Sequence, residues 1–221
     1  MTPLLLVLAL QGGVVDEGTL VIRTDTVEVA REAFRLVAGH VGTGPAGWTL
    51  ATTVRYDRVR PVITLSPLLE VGADTLPAAL QYDVTDARGA VRILGQLGGR
   101  RFTVRFLSRS SERAREFPAN GRTVVLDDSV FALYVFAGWH ARPTPGSVTA
   151  IVPRGLRRET LRVEDHGTAP TILNRDPATL RHVTVTGGAN QVVHLWLDAA
   201  ARIMKVEIPS RRLTVERAPD G

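Results

Sequence analysis

From Leu20 to Arg217, apolar and polar residues alternate with a period of two through most of the chain. Successive side chains on an extended backbone point to opposite faces, so this pattern predicts strands with one face turned inward. In Trp48–Tyr56, the side chains of Trp48, Leu50, Val54 and Tyr56 share one face and those of Thr49, Thr53 and Arg55 the other. The clearest hairpin runs from Val91–Leu94 through Gly98-Gly99 into Arg101–Arg109. A Gly-Gly pair supplies the positive φ angles that a tight turn needs, and the alternation then aims Phe102, Val104 and Phe106 at the core. Further turns are predicted at Asp86–Gly89, His166-Gly167, Gly187–Asn190 and Asp198–Ala201. The fold class this predicts is mainly β: a curved antiparallel meander, or half-barrel, of roughly ten to twelve strands wrapped on one short buried helix. Residues 26–37 also fit a helical period, so the pattern alone admits a helix there as well as a strand.

One segment departs from the alternation. Asp127–Trp139 carries a longer apolar run than the strands, an Asp or Ser suited to the N-cap, and Gly138 where a helix would stop. A helix is predicted over Ser129–Ala137, apolar nearly all round, which a curved sheet would have to cover. The charged stretch Arg109–Gly121, interrupted by Pro118, reads as a mobile loop. No internal repeat or linker stands out, so residues 14–221 are read as a single β-rich domain.

Composition changes this picture mainly by exclusion. With 44% hydrophobic and 22% charged residues in 221, the chain can bury a substantial core. Cysteine is absent, which removes disulfides, cysteine-ligated zinc, iron–sulfur clusters and cysteine nucleophiles together. Lys205 is the one lysine among 27 basic residues, and the formal charge is +5. The arginines are spread along the chain rather than gathered, so no nucleic-acid partner is expected. The first residues, Met1–Gly13, form an apolar run too short to span a bilayer and end in small and polar residues. They read as a signal peptide, with a mature chain starting between about Gln11 and Asp16 and a periplasmic or secreted location. Export weighs against chemistry that depends on ATP or NAD.

The candidate chemistry is sparse. His40, His140, His166, His182 and His194 form no ligand pair at metal spacing, so neither a metal nor any other cofactor is expected. Alternation places His194 with Trp196 and Asp198 on one face. No Gly-x-Ser-x-Gly nucleophile turn occurs, and Ser129 and Ser147 fit capping or turn roles. Asp127 and Asp128 are the one adjacent acidic pair in a strong structural context, and a helix N-terminus accounts for them as caps. Two functional classes follow: an exported non-catalytic module binding an apolar small molecule, a lipid or a membrane or envelope protein partner, and an exported hydrolase of envelope polymers using Asp127, Asp128 and Asp198.

Two stretches carry a family resemblance. Asp128–Phe136 followed by Pro145-Gly146 and a strand, and Val193–Pro209 with its tryptophan strand, aspartate turn and strand ending in proline, are similar to segments of the periplasmic lipoprotein-carrier (LolA-like) half-barrels and their exported relatives. The resemblance implies a curved sheet around an apolar cavity suited to a lipid, an acyl chain or a hydrophobic peptide. The residues expected to line it are Phe102, Phe106, Phe131, Tyr134, Phe136, Trp139 and Trp196. The chain departs from the carriers in its arginine richness and lacks a stretch matching their gating residues.

Overall fold

The computed structural model describes residues 13–39, 47–58 and 60–219. The predicted signal segment up to residue 12, and His40, lie outside them. Fifteen strands form one sheet. The first eight are β1 (Val14–Thr24), β2 (Val27–Ala38), β3 (Gly47–Tyr56), β4 (Ile63–Gly72), β5 (Pro77–Asp86), β6 (Gly89–Gly98), β7 (Arg101–Leu107) and β8 (Glu112–Pro118). The rest are β9 (Thr123–Val125), β10 (Gly146–Val152), β11 (Arg157–Leu173), β12 (Asp176–Thr186), β13 (Val192–Leu197), β14 (Ile203–Ile208) and β15 (Leu213–Arg217). Among the described residues a single α-helix, α1 (Tyr134–Trp139), interrupts the strands.

The topology is two meanders joined at the chain ends. Strands β1 to β8 pair in succession, and β10 to β15 do the same. The two runs are stitched by an antiparallel β1–β15 pair in which Leu20 faces Arg217 and Thr24 faces Leu213. The one parallel pair joins β9 to β10. The sheet is not closed, since β8 and β9 are its two edges, yet four residues of chain link them. That short link brings the two edges together at one end and makes the sheet barrel-like.

The fifteen strands exceed the expected ten to twelve. The stretch 26–37 is strand β2, its inward Ala30, Phe34 and Leu36 buried while its alternation also satisfies a helical period. The predicted loop Arg109–Gly121 is corrected too: it contains β8, which pairs with β7 along its full length. Its charge belongs to an exposed edge strand rather than a loop. The turns predicted at Asp86–Gly89, Gly187–Asn190 and Asp198–Ala201 fall at strand junctions, and the β6–β7 turn is Gly99-Arg100, one residue later than the predicted Gly98-Gly99, with Gly99 alone of that pair at positive φ. His166-Gly167 instead sits in a bulge within β11, where the register to β12 shifts between Asp165 and Thr168.

The core lies between the inner face of the sheet and the segment 126–139. Inward residues such as Leu20, Leu50, Val54, Leu69, Tyr82, Ile93 and Leu195 are essentially inaccessible. Gly95 marks a close approach within the core: a Cβ there would lie 2.5 Å from Phe102 Cζ and 2.9 Å from Leu80 Cβ. The missing side chain lets the Phe102 ring cover β6 directly. The helix itself starts later than predicted. Asp127 bridges to Val130 around a turn at 128–129, a second turn covers 132–133, Leu133 occupies the N-cap with no side-chain bond, and Gly138 lies within the helix. Asp127 and Asp128 are therefore not helix caps; their carboxylates are engaged by Arg154 and Arg157, which follow the neighbouring strand β10.

Candidate functional site

The segment 126–139 acts as a plug inside the sheet, and a buried polar network ties it there. Asp127, fully buried, receives a two-pronged ion pair from Arg154, with both nitrogens at 2.6 Å. Tyr82 Oη donates to the same carboxylate at 3.0 Å and Ser129 N at 2.9 Å. Glu32, reaching in from β2, accepts the backbone amides of Phe131 at 2.7 Å and Ala132 at 3.0 Å, and lies 2.9 Å from Thr52 Oγ1. Tyr56 Oη donates to the Ser129 carbonyl. On the far flank, Arg157 binds Asp128 and Glu159, Arg211 donates to the Asp128 carbonyl, and Asn190 donates to Tyr134 Oη.

Burial sets the protonation of this network. It pushes Glu32 up to about 7, against the pull of the two amides and Thr52, with Asp127 adding repulsion. Burial likewise raises Tyr82, Tyr56 and Tyr134, holding each as a neutral donor or acceptor. At Arg154 burial pulls down, and the Asp127 contact outweighs it, leaving the guanidinium raised. Every carboxylate in the network already has its partners, an arrangement suited to locking a segment in place.

The residues expected to line one cavity divide into two sets. Phe102, Phe131, Tyr134 and Phe136 are buried on the inner side, with Phe131 and Tyr134 stacked at 6.5 Å. Half-buried Trp139 meets Trp48 edge-on at 5.0 Å and Phe136 at 5.3 Å. Phe106 is half-buried near the β8 edge, under the Arg113 guanidinium. Trp196 lies on the opposite face, since its neighbours Leu195 and Leu197 are the ones nearest α1 at Gly138. Two enclosed spaces against the plug, one beside Ala132 and Val135 and one beside Tyr134, hold about 10 Å³ each. That is room for a single water at most.

The larger concavity is outside. On the outer face of β4 to β7, a groove of about 540 Å³ is lined by the apolar Leu68, Ala79 and Leu94 and the polar Glu70, Gln81, Gln96 and Arg105. It consists of two cross-strand rows, Leu68–Gln81–Leu94–Arg105 and Glu70–Ala79–Gln96–Thr103. None of these residues was singled out from sequence. Alternation puts them on the polar face, where a groove depends on sheet curvature that no local pattern records.

The outer face also gathers three histidines that spacing kept apart. His166 stacks on His182 at 5.0 Å, His182 lies 4.3 Å over Trp196, and His182 Nε2 meets His194 Nδ1 at 2.9 Å. Burial lowers His182, and its neighbours His194 and His166 lower it further against Glu207 and Asp165. The cluster was recoverable in principle, because the β12–β13 turn sets His182 opposite Trp196 and Thr184 opposite His194. Asp198 closes the β13–β14 turn, accepting backbone amides of Ala200 and Arg202. Among the described residues, no group of three or more His, Asp or Glu side chains is placed to hold a metal ion. No described helix is long and apolar enough to cross a membrane.

No family model matches the sequence, and no curated protein shows significant similarity to it. Two solved structures align with most of the chain. A β-barrel-like protein of the domain of unknown function DUF1849 from Brucella abortus aligns with 91% of this chain and 93% of its own, at 8% identity and a TM-score of 0.51. A DUF1089 family protein from Pseudomonas aeruginosa aligns with 84% of this chain and 92% of its own, at 14% identity and a TM-score of 0.49. The first likeness establishes a β-barrel-like fold. Neither protein is described as a lipoprotein carrier.

Proposed function

We propose that this protein is an exported, non-catalytic binding module of the bacterial envelope, taking an apolar or amphipathic chain such as a lipid or acyl group in the outer groove on β4 to β7. The observation that carries the reading is the distribution of space. The interior is filled by the chain's own plug, while a concavity within the usual size range of ligand pockets lies outside it. The apolar run Met1–Gly13 supports export, and the lipoprotein-carrier resemblance supports an apolar ligand class. In such carriers the ligand lies within the half-barrel; here the plug takes that place, which moves the proposed site to the other face. The hydrolase alternative gains no support from Asp127, Asp128 or Asp198, whose carboxylates are bound to arginines or to turn amides.

The test is a titration of the purified full chain with the apolar fluorophore 1-N-phenylnaphthylamine, alongside native mass spectrometry for co-purified lipid. Leu94→Glu, which places a charge in the groove, is expected to abolish the fluorescence enhancement without lowering the melting temperature. Phe136→Ala, in the plug, is expected to lower the melting temperature and leave probe affinity unchanged. Equal probe binding by wild type and Leu94→Glu would overturn the groove assignment.

A further inference from the structure

We propose that the β8 edge is a docking site for an extended acidic segment of a partner protein, which adds to the sheet as a further strand. The two edges of the sheet differ sharply. The β9 edge is three residues long and buried throughout, whereas Glu112 to Glu116 of β8 are all exposed. Ser108 N donates to the Ser111 carbonyl and Ala119 N to the Arg100 carbonyl. Antiparallel pairs alternate between hydrogen-bonded and non-bonded, so between these ends Phe106–Arg113, Val104–Arg115 and Phe102–Phe117 are the bonded pairs. The N–H and C=O groups of Glu112, Ala114 and Glu116 therefore point away from β7. Among the described residues none of these groups has a hydrogen-bond partner, and Pro118, with no N–H, ends the row.

The side chains define what fits. Glu112 pairs with Arg105 and Glu116 with Arg101 on the outer face, so their charges are answered within the sheet. Arg113 and Arg115 lie on the inner face, over the Phe106 and Phe117 rings. Arg115 also donates to the Leu156 carbonyl. Neither meets a carboxylate among the described residues. The edge thus displays two uncompensated positive charges two residues apart. A strand laid beside it would set alternate residues directly opposite them, where Asp or Glu is favourable and Lys or Arg is not. A second copy of this chain is disfavoured by the same rule: two-fold pairing centred anywhere from Arg113 to Arg115 sets at least one arginine opposite an arginine. The inference is independent of the groove, and it stands whether or not an apolar ligand binds there.

The test uses the full chain and two fluorescent peptides of alternating valine, one with Glu and one with Lys at the intervening positions. The Glu peptide is expected to bind and to protect the amides of Glu112, Ala114 and Glu116 from hydrogen exchange, and the Lys peptide to do neither. Ala114→Pro removes an outward N–H that β7 does not use, and is expected to abolish binding with the circular dichroism spectrum unchanged. Arg113→Glu with Arg115→Glu keeps the backbone edge and is expected to weaken the Glu peptide by about tenfold or more while admitting the Lys peptide. Absence of Glu-peptide binding, protection located elsewhere, or unchanged binding by the double variant would overturn the proposal. So would a wild-type dimer in ultracentrifugation that Ala114→Pro dissociates, since the edge would then belong to a second copy.

Discussion

Glu32 has two ways of satisfying its surroundings, and they differ by one proton. Ionised, it accepts from two backbone amides and from Thr52. Neutral, its own O–H donates to Thr52 Oγ1, freeing the Thr52 hydroxyl to donate to the Ala33 carbonyl, 3.0 Å away. Burial favours the neutral form and carries the group from its ordinary 4.5 to about 7. Between those values the folded chain holds a proton that the unfolded chain has released. The contribution to stability is therefore complete below about pH 4.5, declines as pH rises, and is gone above about pH 7. At 1.36 kcal/mol per unit, the swing is at most about 3 kcal/mol. Glu32→Gln cannot titrate, so urea unfolding at pH 5 and pH 8 is expected to show the variant gaining on wild type at the higher pH by up to that amount. His140 and His182, lowered by burial, contribute with the opposite sign, and subtracting the two profiles removes them. Parallel profiles would mean that Glu32 stays ionised throughout. Gly95 is the other residue fixed by its surroundings: Gly95→Ala is expected to cost about 1–3 kcal/mol by overpacking, with Phe102→Leu recovering part of the loss in a double-mutant cycle.

The plug is an element held by polar contacts at its entry and apolar contacts along its helix. A six-residue helix cannot be stable alone, and propensity contributes little to it. Its position follows from the Asp127–Arg154 pair and the Glu32 amide contacts, which hold residues 127–132 out of the helix. Arg154→Met would leave Asp127 buried without its guanidinium, at an expected cost of about 3–5 kcal/mol. Arg154→Met with Asp127→Asn should recover much of it, because the uncompensated charge is gone, and thermal melts of the two variants check this. These contacts also explain what could be read in advance. The alternation revealed the strands, the Gly and Asp turns revealed most hairpins, and the apolar run at 130–137 revealed an element that the sheet must cover. The late helix start was hidden because Glu32 is 99 residues from Phe131, and a lone glutamate in an alternating strand carries no local sign that it caps a distant segment. β8 was hidden because an edge strand with exposed, charged alternation has the composition of a loop. The aromatic set was misgrouped for a different reason: alternation fixes which residues share a face within one strand, and Trp196 and Phe102 lie on strands from opposite meanders.

At the scale of the whole molecule, the sheet depends on a pairing of chain ends. β1 and β15 join the two meanders, so neither meander completes its inner face until residues nearly 200 apart in sequence have met. A clasp of buried charge marks the junction: Arg217 donates to both Asp16 oxygens, at 2.5 and 3.2 Å, and to the carbonyls of Glu17 and Ile203, with its guanidinium over the Phe34 ring. Both side chains are almost wholly inaccessible. Such long-range pairing is slow to form, because loop closure precedes any compensating contact. Breaking the clasp should act on the sheet as a whole. Arg217→Met leaves Asp16 buried and unpaired, and is expected to cost about 3–5 kcal/mol. Arg105→Ala, at the exposed pair with Glu112, should cost about 1 kcal/mol or less. The denaturant slope separates two outcomes for Arg217→Met. If the slope matches wild type, both meanders still unfold as one unit and the clasp supplies stability alone; if it falls, the junction is what makes fifteen strands a single cooperative sheet. The second result is expected, because β1–β15 is the one direct strand pairing between the two meanders.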